Sequence, residues 1–323
     1  MTAHVNPVAT ETASADGEIA RPLPAWLREM YPFRTAGVPV EGGHMSYVDE
    51  GAPDAPPIVL LHGNPTWSFL YRSMIPKLTA RYRVIAPDHI GFGLSDKPAD
   101  PAWYTLERHI ANFTALVESL ELKKVTLVLH DWGGPIGLGY AVAHPDNIAR
   151  LVLLNTWASV PHSSDPPDLH WGLRLARGVM GPFTVQRLNL FVELALRMAV
   201  QRKLTPREFD AYRFPFPDAA SRAGVLAFPR MIPRREGDAA WQTMRAIEAG
   251  LAKITAPADI LWGKRDPVLS GLYAYLLRDR LKNAREPVFL ENASHFLPED
   301  APDAIVERIL TERKAAVALK ILT

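Results

Sequence analysis

The residues with chemical potential in this chain begin with five in a row, His130-Asp131-Trp132-Gly133-Gly134. They follow the apolar run 124–129 and open a stretch of small residues, Pro135-Ile136-Gly137-Leu138-Gly139-Tyr140-Ala141. Strand, sharp turn, helix is the geometry of a nucleophile elbow, which exposes one side chain above a sheet. Serine is the usual occupant; here it is Asp131. A serine hydroxyl needs a neighbouring base before it can attack. An aspartate, with an ordinary pKa of about 3.9, is already ionised at neutral pH. Serine attacking saturated carbon would leave an ether that water cannot easily cleave. Aspartate leaves an alkyl ester, which activated water hydrolyses. Asp131 therefore points to displacement at sp³ carbon. The plainer alternative is a buried helix cap, a position aspartate favours.

A site built on a sheet of this kind gathers residues that follow strand ends. Four stretches qualify: His62-Gly63-Asn64-Pro65-Thr66-Trp67, Asp131-Trp132, Gly263-Lys264-Arg265-Asp266-Pro267 and Asn292-Ala293-Ser294-His295-Phe296. Their order, nucleophile then acid then histidine, is the order that this architecture uses. His295 is the expected base, activating the water that hydrolyses the ester. Asp266 is expected to hold the imidazole in the right tautomer, or else merely to start a turn before Pro267. Asn155 ends another strand but cannot ionise, which favours Asp266 as the acid. A departing halide needs hydrogen-bond donors rather than a proton. The Trp132 indole N–H and the Asn64 amide are candidates, and the backbone N–H groups of the same two residues are candidates for an oxyanion hole. Without such roles, Trp132 packs and Asn64 caps a turn before Pro65.

The elements that would position these residues are short strand-like runs alternating with helical patterns. Strands are predicted at 33–38, 44–49, 57–62, 82–87, 124–129, 149–155, 258–263 and 285–291. Helices are predicted at about 67–80, 104–121, 135–144, 272–281 and 302–316. The alternation argues for an α/β fold with a mostly parallel eight-stranded sheet covered by helices on both faces. The first two strands, with Gly42-Gly43 between them, form an antiparallel hairpin. The rhythm breaks from 156 to 245, a stretch without convincing strands that contains Trp157, Trp171, Phe183, Phe191, Phe209, Tyr212, Phe214, Phe216 and Phe228. It reads as an inserted helical cap, roofing a site beyond the carboxyl ends of the strands; most of these aromatics would simply be its core. The domain reading is a disordered tail at 1–22, core at 23–155, cap at 156–245 and core again at 246–323. Phe214-Pro215-Phe216-Pro217 is a rigid cap loop or a contact between copies, leaving oligomeric state open.

Composition narrows the partners. The 323 residues are 48% hydrophobic and 22% charged, ordinary values for a globular protein. With 36 basic and 35 acidic residues the formal net charge is +1, which gives no support for nucleic acid or an anionic membrane surface. There is no cysteine, hence no disulfide and no thiolate metal site. No apolar run reaches the roughly 18 residues of a membrane span. The amino-terminal stretch lacks the charged start and apolar core of a signal peptide, so a cytoplasmic location is expected.

The motif His62-Gly63-Asn64-Pro65-Thr66-Trp67, the stretch Asp88-His89-Ile90-Gly91-Phe92-Gly93-Leu94-Ser95-Asp96, the elbow, Asp266 and His295 together resemble the haloalkane dehalogenases of the α/β-hydrolase superfamily. The resemblance runs from about residue 30 to 315. His-Asp-Trp-Gly alone is less specific, because epoxide hydrolases share it. The acid after the seventh strand, with Asn64, resembles the third dehalogenase subfamily. That subfamily is itself similar to the β-lactone decarboxylases of long-chain olefin biosynthesis. A β-lactone offers an sp³ carbon bearing a carboxylate leaving group, so an aspartate nucleophile suits both. Epoxide hydrolases use a pair of cap tyrosines, whereas only Tyr212 stands in this cap. Fluoroacetate dehalogenases carry arginine after the nucleophile, where this chain has Trp132, which favours a small, neutral apolar substrate. The resemblance implies an enzyme without cofactor or metal. Asp131 would be the nucleophile, His295 the base and Asp266 its partner, with Asn64 and Trp132 stabilising the halide. A non-catalytic receptor using the cap pocket is the alternative of another class, and it has no need of such a set.

Overall fold

A computed structural model describes residues 23–161 and 176–321. The expected tail at 1–22 and Trp171 of the expected cap lie outside the described residues. Eight strands form one sheet in the order β1-β2-β4-β3-β5-β6-β7-β8. They are β1 (Thr35–Val40), β2 (Gly43–Glu50), β3 (Pro57–Leu61), β4 (Arg83–Pro87), β5 (Val125–Asp131), β6 (Ile148–Thr156), β7 (Ala258–Gly263) and β8 (Val288–Leu290). β1 pairs antiparallel with β2 through a tight hairpin, and β2 pairs antiparallel with β4. From β4 across to β8 every pairing is parallel. Gly42 and Gly43 have φ of 93° and 131° in the hairpin, a region glycine enters without steric penalty. The mostly parallel α/β sheet is thus the one expected from the apolar runs, and it agrees with the α/β-hydrolase fold that the resemblance implies. β5 and β7 are buried along their whole length, as strands covered on both faces must be.

The helix Gly133–Ala143 follows β5 directly and packs against helices Leu106–Ser119 and Trp241–Gly250. Its glycines permit the close approach: a Cβ on Gly133 would collide with the Leu61 carbonyl of β3. Between β6 and β7, the described residues contain no strand. Helices Leu190–Met198, Pro206–Arg213 and Ala223–Met231 occupy this excursion, and Trp241–Gly250 completes it. Among the described residues no helix is long and apolar enough to cross a membrane.

One predicted element is different in the structure. The helix expected over 67–80 is a 3₁₀ turn, Ser68–Tyr71, and a short helix, Ile75–Leu78. Trp67, Phe69 and Tyr71 are all buried, with the Trp67 and Phe69 rings stacked at 5.4 Å, a packing that a regular helix could not supply. Pro76 lacks an N–H and fits only the first turn of the helix that restarts there.

Candidate active site

Asp131 ends β5 with φ of 50°, a left-handed conformation that non-glycine residues rarely adopt. Strain of this kind persists only where the surroundings over-determine it. Here the Thr156 hydroxyl donates to the Asp131 carbonyl at 2.6 Å, and a Cβ on Gly63 would overlap the Asp131 carboxylate. The elbow therefore requires glycine at 63 as much as it requires Asp131.

Asp131 is only 6% exposed, and its two carboxylate oxygens have different neighbours. The Asn64 backbone N–H donates to Oδ1 at 2.8 Å. Oδ2 faces His295 Nε2 at 3.5 Å. On its far side, His295 Nδ1 lies 2.9 Å from Asp266 Oδ2. Asp266 is held in turn by three donors. The Val268 and Leu269 amides donate to Oδ1 at 2.6 and 3.0 Å, and Asn155 Nδ2 donates to Oδ2 at 2.6 Å. The three residues His295, Asp131 and Asp266 thus form one continuous polar line.

Asn155 cannot ionise and so is not the acid, but the structure gives it another part. The β5–β6 register shifts between His130 and Asp131: Leu154 pairs with His130 and Thr156 with Asp131, so Asn155 is the extra residue of a bulge. Its φ is 39°, and its side chain turns to Asp266 while accepting from the Gly263 amide at 2.9 Å. A polar residue at a strand end was the only sequence signal for this.

His295 is anchored from several directions. His130 Nε2 contacts the His295 carbonyl at 2.7 Å, and the Ser294 hydroxyl donates to the Arg265 carbonyl at 3.1 Å. Burial works against the charged imidazole. The Asp266 and Asp131 carboxylates override it and raise the His295 pKa above its ordinary value. For Asp131, burial alone would raise the carboxyl. The hydrogen bond and charge of His295, with His130 and the Asn64 amide, hold it below its ordinary value. Burial lowers His130 to about 4, so it is neutral and donates from Nε2.

Asn64 and Trp132 flank the nucleophile. Asn64 Nδ2 donates to the Val225 carbonyl at 3.3 Å, while its Oδ1 is buried without a partner among the described residues. That carbonyl is available because Pro229, four residues on in the same helix, has no N–H to give it. A proline inside an otherwise helical pattern was the sequence signal. The Trp132 ring meets the edges of Trp157 and Phe228 at 5.1 and 5.2 Å. Tyr212 is fully buried and donates its hydroxyl to Glu299.

This arrangement suits attack by a carboxylate oxygen, a hydrogen-bonded second oxygen to take developing charge, and a histidine backed by an acid. Four similarities to known proteins bear on it. The alpha/beta hydrolase fold family matches residues 56–302. The cis-3-alkyl-4-alkyloxetan-2-one decarboxylase of Shewanella oneidensis is 37% identical, covering 88% of this chain and 89% of that protein. A haloalkane dehalogenase of Mycobacterium marinum is 39% identical, covering 87% and 94%. The crystal structure of haloalkane dehalogenase DbeA from Bradyrhizobium elkani superposes with a TM-score of 0.81 at 29% identity, covering 89% of this chain and 99% of that one.

Proposed function

The chain belongs to the alpha/beta hydrolase family, among relatives that include haloalkane dehalogenases and cis-3-alkyl-4-alkyloxetan-2-one decarboxylases, and from that premise we propose that it hydrolyses carbon–halogen bonds of apolar haloalkanes through an aspartyl ester. The observation that carries the proposal is the unequal setting of the two Asp131 oxygens: Oδ1 bonded to the Asn64 amide, Oδ2 turned to His295.

In this reading Oδ2 attacks the carbon, a C–O bond forms, and the halide leaves with the bonding pair. The Trp132 indole N–H and the Asn64 amide receive its growing charge. Water then attacks Cγ of the ester while His295 takes its proton. Charge develops on Oδ1, against the Asn64 N–H. Collapse breaks the Cγ–O bond to the alkyl group and releases the alcohol. The balance is haloalkane plus water giving alcohol, halide and one proton. Esterification also removes the Asp131 charge that helps keep His295 protonated. The imidazole therefore becomes a better base only when there is an ester to hydrolyse. The buried, occupied hydroxyl of Tyr212 argues against epoxide opening.

The decarboxylase relative supports a second reading. Oδ2 would attack the ring carbon of a β-lactone that bears the lactone oxygen, breaking that C–O bond and freeing a carboxylate; loss of CO₂ would then expel the Asp131 carboxylate and leave an alkene. No water is consumed on that route. A paired assay separates the two, with 1,2-dibromoethane and 1-bromohexane read by halide release and a cis-β-lactone read by alkene formation. Under the first reading halide release is efficient and Asp131→Asn lowers it by at least about 10³-fold. Full turnover in Asp131→Ala would sink both readings.

A further inference from the structure

We propose that Asp300 is a positioning residue that sets the reach of His295, by tying the histidine loop to the turn between helices Leu190–Met198 and Pro206–Arg213 of the excursion; the proposal rests on the ester-hydrolysis reading above. Asp300 lies outside the nucleophile–histidine–acid line, yet its carboxylate gathers backbone donors from two distant segments. Oδ2 accepts from the Ser294 amide at 2.8 Å, next to His295. Oδ1 accepts from the Gln201 and Arg202 amides at 2.9 Å each. A main-chain bond from the Phe296 N–H to the Ala199 carbonyl, at 2.9 Å, runs beside it.

The residues on either side of His295 are thus fastened to 199–202 rather than only to the sheet. Charge-assisted hydrogen bonds to a carboxylate are stronger than neutral ones, and three amides on one partly buried carboxylate form a rigid clasp. Its neighbour Glu299 extends the link, pairing with Arg72 of the sheet side at 2.5 Å and with Arg202. Among the described residues, no other carboxylate accepts backbone N–H groups from both segments.

The two chemical steps depend on the clasp unequally. Asp131 is held for attack by the elbow and the Asn64 amide, independently of Asp300. Hydrolysis needs His295 Nε2 to present its lone pair to a water over the ester, which fails if the loop drifts by about 1 Å. Loosening the clasp therefore slows the second step and spares the first.

The test is rapid-quench kinetics with 1-bromohexane on the full chain, for wild type, Asp300→Ala and Asp300→Asn. The expected result for Asp300→Ala is a halide burst within about threefold of wild type, a steady-state rate down by about tenfold or more, and alkylated protein visible by mass spectrometry. Asp300→Asn, which keeps one acceptor oxygen, should fall between. Equal loss in both steps, or no loss in either, overturns the proposal. Hydrogen exchange at Ser294, Gln201 and Arg202 is measured alongside. Faster exchange in Asp300→Ala is expected, and unchanged protection overturns the clasp even if wild type releases no halide. Absence of halide from wild type would by itself count against the dehalogenase reading, so the two failures are distinguishable.

Discussion

At the scale of single residues, the site combines groups that are useful only because of what fixes them. Trp132 is the clearest case. Its ring is wedged against Trp157 and Phe228, so its N–H has one direction available. Trp132→Phe keeps the packing and removes the donor. We expect a loss of roughly 3 kcal/mol in the transition state, about 10²-fold in kcat/KM for bromoalkanes, with the melting temperature nearly unchanged. A similar loss for a β-lactone substrate would show that the donor serves any anionic leaving group. Asp131, His295 and Asp266 were legible in the sequence, because each follows a strand that its apolar run announces. The bonding role of Asn155 was not, because it depends on a one-residue register shift between β5 and β6. Asp300 was invisible for the related reason that two of its three amide partners lie 98 and 99 residues away.

At the scale of elements, helix Ala223–Met231 is defined by what it lacks. Pro229 leaves the Val225 carbonyl open to Asn64. Pro229→Ala restores the helical hydrogen bond and competes for that carbonyl. The variant should be as stable as wild type or more so, while kcat/KM falls several-fold through a looser Asn64; unaltered kinetics would mean the amide needs no such anchor. On the opposite side of the structure, Asp259 of β7 collects Arg150 of β6, Arg285 and Arg308, at 2.5, 3.0 and 2.7 Å. Burial would raise its carboxyl, and the three guanidinium groups hold it below the ordinary range. A carboxyl depressed on folding adds stability above its unfolded pKa of about 3.9 and loses it as pH falls through the folded value. Asp259→Asn should cost about 3–5 kcal/mol at pH 7 in denaturant titrations. The gap to wild type should narrow only below about pH 4. The strands themselves were legible because continuous apolar runs leave little choice in a covered parallel sheet. The broken 67–80 segment was not, because its aromatic packing is set by partners such as Tyr31 and Tyr212, remote in sequence.

At the scale of the whole molecule, the excursion between β6 and β7 returns to the sheet through a polar knot. Arg72 pairs with Glu208 and Glu299, Arg202 bonds both acids, and Tyr212 donates to Glu299. Ahead of β1, the chain adds a second tie, since Arg207 donates to the Trp26 carbonyl at 3.3 Å and the Trp26 and Phe214 rings meet edge to face at 6.3 Å. An insertion joined to its host only by its two ends would melt ahead of it. One knotted into the host by buried charges has no such freedom, because releasing it strands those charges. Scanning calorimetry should therefore record a single transition, with calorimetric and van't Hoff enthalpies in agreement. Replacing Glu299 with Gln should split that transition into two. In practical terms, the heat tolerance of this protein is a property of one seam, and strengthening helices elsewhere in the excursion would do little to extend it.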